Sequence, residues 1–338
     1  MTSKERVVAH LQNRPVDHLP LMPITMMFAS EVAGVRYYDY ATQAEVLAEA
    51  QLRTAERFGF DYVSTISDPA RETADLGGAV EWFDDQPPAI NESRALLQDK
   101  SKLLGLTMPT ADAPGRMQDR VKGLGILKRA AGKDLLVEGW VEGPCALGAD
   151  LRGLNALMTD FSDDEEFVRA LFDFAIETEI GFARIQIEAG ADIIGIGDAA
   201  ASLIGPRLYR EFVLPGEQRL TAAIRAMGAK SRLHICGNTR RIVADMGRAG
   251  ADMIDLDYFT SLAEARAACQ PGQPLSGNLD PVRALRDGTP ESTTSALEKC
   301  WSEASSAYIV AAGCEIARGT PFVNVEAMAS FARNHASA

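Results

Sequence analysis

Apolar residues in this chain fall into two alternating kinds of run, and their order predicts an architecture. Val7, Val8 and Leu11 recur at helical spacing behind a Thr2/Ser3 cap and Glu5, which predicts a helix over 2–13 ended by Arg14-Pro15. A short strand over 19–24, made irregular by its prolines, precedes a helix over 42–58 in which Val46, Leu47, Ala50 and Ala55 share a face. Phe60–Ile66 reads as a second strand. Residues 70–120 lose the rhythm and read as an excursion over one end of the fold. It resumes with a helix over 121–131, a strand over 134–141 and two helices, the longer over 163–189. From there the alternation is strict. Strands are predicted over 191–197, 231–236, 251–256, 273–277 and 307–312, and helices over 206–227, 240–249, 261–268, 291–304 and 325–334.

About eight strands alternating with helices predict an α/β fold, a (β/α)8 TIM barrel formed as a single domain by residues 1–338. Ala-Gly-Ala-Asp occurs twice, at 189–192 and 249–252, each time as a glycine stop leading into the next strand. A net charge of −13 argues against nucleic acid or an anionic membrane as the main partner. No apolar run is long enough for a membrane span, and the N-terminal residues lack a signal-peptide core. Five widely spaced cysteines do not form a secreted disulfide framework, so a cytoplasmic location is expected.

The chemistry concentrates in Ser231-Arg232-Leu233-His234-Ile235-Cys236-Gly237. Residues two apart on a strand project to one face, so His234 and Cys236 point the same way, and together they are half of a zinc site. A lone His-x-Cys pair is usually structural. Here, however, the other histidines, His10, His18 and His335, lie near the termini in polar sequence, and Cys314 closes another apolar run. If both strands end on one rim, the three form a His/Cys/Cys set with an open fourth position, an arrangement typical of catalysis. Barrel active sites lie at strand C-termini. Those ends carry Asp68, Glu142, Asp198, His234 with Cys236, Asp257, Asn278 with Asp280, and Cys314, although any single carboxylate there also suits a helix cap or a turn. Cys269 and Cys300 fall in helical segments and read as inert; Cys145 follows Gly-Pro at the rim. No glycine-rich phosphate loop is present, and no histidine is free to serve a serine nucleophile. A thiolate-rich zinc site suits alkyl transfer onto a bound sulfur.

These segments resemble the uroporphyrinogen decarboxylase superfamily, and within it the cobalamin-dependent methyltransferases of the methylcobalamin:coenzyme M type. The resemblance rests on Ile66-Ser67-Asp68-Pro69, Glu142-Gly143-Pro144, Gly197-Asp198, Gly205-Pro206, Phe212-Val213-Leu214-Pro215, His234-Ile235-Cys236-Gly237-Asn238, Gly277-Asn278-Leu279-Asp280-Pro281 and Gly313-Cys314-Glu315 with Gly319-Thr320-Pro321. It implies a TIM barrel with zinc held by His234, Cys236 and Cys314. The fourth position would go to a thiol substrate, or to a carboxylate such as Glu142 or a water. It further implies a methylated corrinoid as donor, usually carried on a small corrinoid protein that docks over the mouth. Asp68 matches the decarboxylases' central aspartate; Asp198, Asn278, Asp280 and Asp257 would contact substrate or corrinoid.

The decarboxylases' R-Q-A-G-R-Y segment is replaced by Pro23-Ile24-Thr25-Met26-Met27-Phe28-Ala29. Without those guanidiniums a polycarboxylate tetrapyrrole loses its ion-pair partners. Three alternatives follow: methyl transfer from a small substrate onto the corrinoid, a metal-free decarboxylase, and a non-catalytic fold whose zinc staples two strands.

Overall fold

The computed structural model describes residues 1–110, 113–305 and 307–336. Seven strands form one parallel sheet, hydrogen-bonded in chain order. They are β1 Tyr62–Ser64, β2 Leu136–Glu142, β3 Ile193–Gly197, β4 Lys230–Ile235, β5 Met253–Leu256, β6 Leu275–Leu279 and β7 Tyr308–Ala312. Every residue of β2, β3, β5, β6 and β7 is buried, as near-continuous apolar runs require of a parallel sheet covered by helices.

The expected strand at 19–24 is reduced to one parallel bridge, Leu21 to Val310. Pro20 and Pro23 have no N–H to give a ladder. The groups that remain nevertheless reach both edges of the sheet. Met22 N–H donates to the Val310 carbonyl (2.9 Å) and Val310 N–H to Pro20 (2.8 Å), while Asp61 N–H, just before β1, donates to Leu21 (3.0 Å).

One face of the sheet is concave, because Tyr62 of β1 and Ile309 of β7 pack in the same cluster. Alternation along each strand stacks that face in layers. At the N-terminal ends, Leu136, Ile193, Met253 and Ile309 are sealed by Val7 and Leu11 of the first helix. That helix spans Ser3–Leu11 and starts on a Thr2/Glu5 capping box. Two residues further along, β2, β4 and β5 contribute an ionic layer. Arg232 is fully buried between Asp255 (Nε to Oδ2, 2.8 Å) and Glu138 (3.5 Å). The next layer holds Trp140 and His234, and the rim beyond it Glu142 and Cys236.

Several predicted helices differ in extent. The helix expected over 42–58 is present as Ala44–Phe58, preceded by a short unpredicted helix Tyr37–Thr42, and the one over 206–227 runs as Gly205–Leu208, a π-turn Tyr209–Val213 and Leu214–Ala226 without leaving helical backbone. Pro215, which cannot donate a helical N–H, sits just past the π-turn. The helix over 240–249 shrinks to Val243–Met246, and three helices, Pro144–Arg152, Leu154–Asp163 and Glu165–Glu188, replace two. The excursion contains helix Ala70–Asp75, the small hairpin Val80–Glu81/Ala89–Ile90 and short 3-10 turns; its closing helix starts at Arg116, five residues before the predicted start at 121. His10 departs from the expectation of polar surroundings: it is 2% exposed.

Candidate metal centre

β4 delivers His234 and, one residue past its end, Cys236; the turn after β7 delivers Cys314. His234 Nε2 lies 2.9 Å from Cys236 Sγ, which lies 3.6 Å from Cys314 Sγ. The three donor atoms all fall within 4.8 Å of one another. Tetrahedral zinc with bonds of about 2.0–2.3 Å requires donor separations of about 3.3–3.8 Å, so the set fits the ion with small side-chain adjustments. Among the described residues no carboxylate joins it.

The surroundings orient these donors. Asp255 Oδ2 stands 3.4 Å from His234 Nδ1, behind the imidazole on the side away from the thiols, and is itself held by Arg232. A carboxylate behind a ligating histidine fixes the ring and leaves Nε2 as the donor. Burial pulls His234 down, but Asp255 more than offsets it and raises the imidazole to about 10. Cys314 is held well below an ordinary thiol, first by the hydrogen bond with Cys236 and then, against burial, by His234; the same bond pushes Cys236 up. After Cys236 the chain turns at Gly237 with φ +89°, a conformation open to glycine.

The other predicted site residues divide into those at the cavities and those that hold structure. Asp257 accepts from the amides of Gly237 (2.5 Å) and Tyr258 (2.6 Å), so it fixes the turn carrying Cys236. Glu142 is buried and its Oε1 takes Arg71 Nη2 at 2.9 Å. It lies at the cavity wall and is not among the donor atoms gathered at His234, Cys236 and Cys314. Burial pushes its carboxyl up, with Arg71 opposing. Asp68 makes a two-pronged pair with Arg116 (2.7 and 2.6 Å); burial raises its carboxyl, but Arg116 outweighs that and holds it below the ordinary range. Asp198 accepts from Ala146 N–H (2.6 Å) at the start of helix Pro144–Arg152, and burial raises it to about 7. Asn278 donates to the Thr260 carbonyl and lies 3.6 Å from Cys300 Sγ, while Asp280 caps the π-turn Pro281–Arg286. Neither residue lines the cavities beside the donors, because both are committed to local backbone or side-chain partners.

Two cavities meet at Cys236 and Glu142. The deep one, about 140 Å³, is walled by Ile24, Met26, Ile66 and Trp140 and reaches His234 and Cys314. Asp68 and Asp198 lie on its edge. The outer one, about 380 Å³, includes Ile90, Glu92, Ala146 and Asp150. Sequence reasoning did not identify Asp255, Arg71, Arg116 or Asp150. Asp255 was recoverable, because it alternates with Met253 onto the concave face; the two arginines come from helix 70–75 and the start of helix 116–131, where no periodicity points inward.

The chain matches a known family along nearly its whole length. The profile of the uroporphyrinogen decarboxylase (URO-D) family matches residues 2–335, and the chain belongs to that family. Within it, the chain is 31% identical over 341 residues to a methylcobamide:CoM methyltransferase, MtbA of Methanosarcina mazei, covering 99% of this chain and 98% of that one. Uroporphyrinogen decarboxylase of Streptomyces coelicolor is 27% identical over 74% of this chain and 70% of its own. Among solved structures, a methyltransferase from Methanosarcina mazei superposes with a TM-score of 0.85 at 24% identity, over 99% of this chain and 98% of that one, and so shares the fold.

Proposed function

We propose that this chain is a zinc-dependent methyltransferase that moves a methyl group from a methylated corrinoid to a thiol. The observation that carries the reading is the His234/Cys236/Cys314 set, three donors with no fourth protein ligand among the described residues, opening onto two cavities. Full-length similarity to an enzyme named methylcobamide:CoM methyltransferase supports it. We read the architecture as a (β/α)8 barrel in which residues 20–22, bonded to both edges, form the eighth stave, and the whole chain as one domain. Among the described residues no helix is long and apolar enough to cross a membrane. Five free thiols fit the cytoplasm.

Zinc held by these donors would keep a bound thiol ionised at neutral pH. This chain's residues do the remaining work. Asp255 fixes His234, and Asp257 fixes the Cys236 turn. Glu142, steered by Arg71 and facing both cavities, takes the thiol's proton. Ile24, Met26 and Trp140 keep water from the reacting sulfur. The sulfur then attacks the methyl carbon of the corrinoid substrate: an S–C bond forms, the Co–C bond breaks, and cobalt retains the electron pair as Co(I). A separate corrinoid protein over the rim would bring that substrate.

Decarboxylation of a polycarboxylate is poorly supported. The segment replacing the arginine-rich motif contributes Ile24 and Met26 to the deep cavity, and Arg71 and Arg116 are already paired with carboxylates. The test is demethylation of methylcobalamin, with the S-methyl product followed by mass spectrometry. Turnover that disappears in Cys236→Ser and Cys314→Ser is expected; undiminished turnover in both would contradict the reading.

A further inference from the structure

The thiol-transfer reading leaves open which thiol is used, and the outer cavity bears on that. Cys236 lies on its wall, so a small thiol whose sulfur meets the donor set extends its other end into this space. Apart from His234 of the donor set, no Lys, Arg or His lines either cavity among the described residues. Behind the walls Arg71 pairs with Glu72 and Glu142 through Nη2, its Nε and Nη1 being buried without a partner, and Arg116 pairs with Asp68.

Acid remains in surplus. Glu92 and Asp150 face the outer cavity. Asp150 Oδ2 is a buried atom with no hydrogen-bond partner, and both carboxylate oxygens of Glu179 are buried without one. Burial, then the charges of Glu72, Asp68 and Glu92, hold Asp150 well above the ordinary carboxyl range against the charge of Arg71. A sulfonate or carboxylate placed here would meet the Glu92 and Asp150 carboxylates and no positive side chain on the wall; an ammonium would give Asp150 Oδ2 a partner.

Resting on the thiol-transfer reading, we propose that the thiol acceptor is cationic, an aminothiol whose ammonium group pairs with Asp150 and Glu92 in the outer cavity. The surplus of carboxylate around that cavity selects against anionic thiols of the same length.

Three equal-length probes separate the charges: 2-mercaptoethylamine, 2-mercaptoethanol and 2-mercaptoethanesulfonate. Each is titrated calorimetrically into the zinc-loaded full chain with no corrinoid present, and each is then offered as acceptor with methylcobalamin. The amine should bind at least about tenfold more tightly than the alcohol, and the sulfonate most weakly, with kcat/KM in the same order. In Asp150→Asn the amine-to-alcohol ratio should fall toward one, a readout that compares two ligands on one protein. Sulfonate binding equal to or tighter than amine binding overturns the proposal. Methyl transfer that prefers the sulfonate overturns it while leaving the thiol-transfer reading intact. Charge-ordered binding without methyl transfer does the reverse.

Discussion

His234 owes its usefulness to residues that never touch the cavity. Asp255 is fully buried and divides its carboxylate between the imidazole and Arg232. In Asp255→Asn the ring loses its charged anchor, and Arg232 keeps Glu138 as its charged partner and the Met22 carbonyl. Zinc affinity should fall about 10–100-fold by chelator competition, with a stability loss of about 3–5 kcal/mol from the broken buried pair. Affinity equal to wild type would mean that Asp255 serves only the core. His10 gives a pH prediction. Burial lowers it from 6.5 to about 4, with the backbone of Ala307 and Tyr308 working weakly the other way. The unfolded chain therefore gains this proton first as pH falls, so stability declines from about pH 6.5 to about pH 4, by about 3 kcal/mol in all. Between pH 7 and 4.5 the wild-type Tm should fall more steeply than that of His10→Gln; parallel curves would remove His10 from the account. At this scale the donors were legible because strand alternation pairs His234 with Cys236, and Cys314 closes the third apolar run after theirs. Of the orienting residues, Asp255 was legible by the same alternation, from Met253, whereas Arg71 and Arg116 reach the site only through tertiary packing.

Elements meet the site through specific clearances. Gly143 precedes helix Pro144–Arg152, and a Cβ added there would strike the Asp198 carboxylate that accepts the Ala146 amide. Its φ of −84° suits any residue, so the cost of Gly143→Ala is steric alone. Displacing the capping carboxylate should destabilise the fold by about 1–3 kcal/mol in urea; an unchanged midpoint would show that Asp198 gives way freely. Asp198 and Asp280 both accept backbone amides at helical starts, and Asp198 also lines the deep cavity. A polar residue after an apolar strand serves equally as a cap, and sequence alone does not say which amide it will meet. Strand positions were legible because apolar runs buried on both faces are unambiguous, whereas helix lengths were not. Residues 240–249 carry helical spacing, yet only four of them close helical turns.

At the scale of the whole molecule, the two ends of the sheet have separate duties. The N-terminal end is sealed by apolar side chains and the first helix, the middle is locked by Arg232 with Asp255 and Glu138, and the C-terminal rim carries the donors. The core does not depend on a metal to close it. Chelation should therefore remove activity and leave far-ultraviolet circular dichroism unchanged with a cooperative unfolding transition, whereas a zinc staple would unfold on chelation. The order of the strands and their shared rim followed from the sequence; the near-loss of the first strand to Pro20 and Pro23 did not, because its pairing comes from residues at both edges of the sheet. The central claim is the donor set itself. Zinc content with X-ray absorption at the zinc edge tests it most directly. About one zinc per chain is expected, with two sulfur neighbours near 2.3 Å and a nitrogen near 2.0 Å, and with one sulfur lost in Cys314→Ser. No zinc taken up, or a shell of oxygen and nitrogen alone, would contradict it.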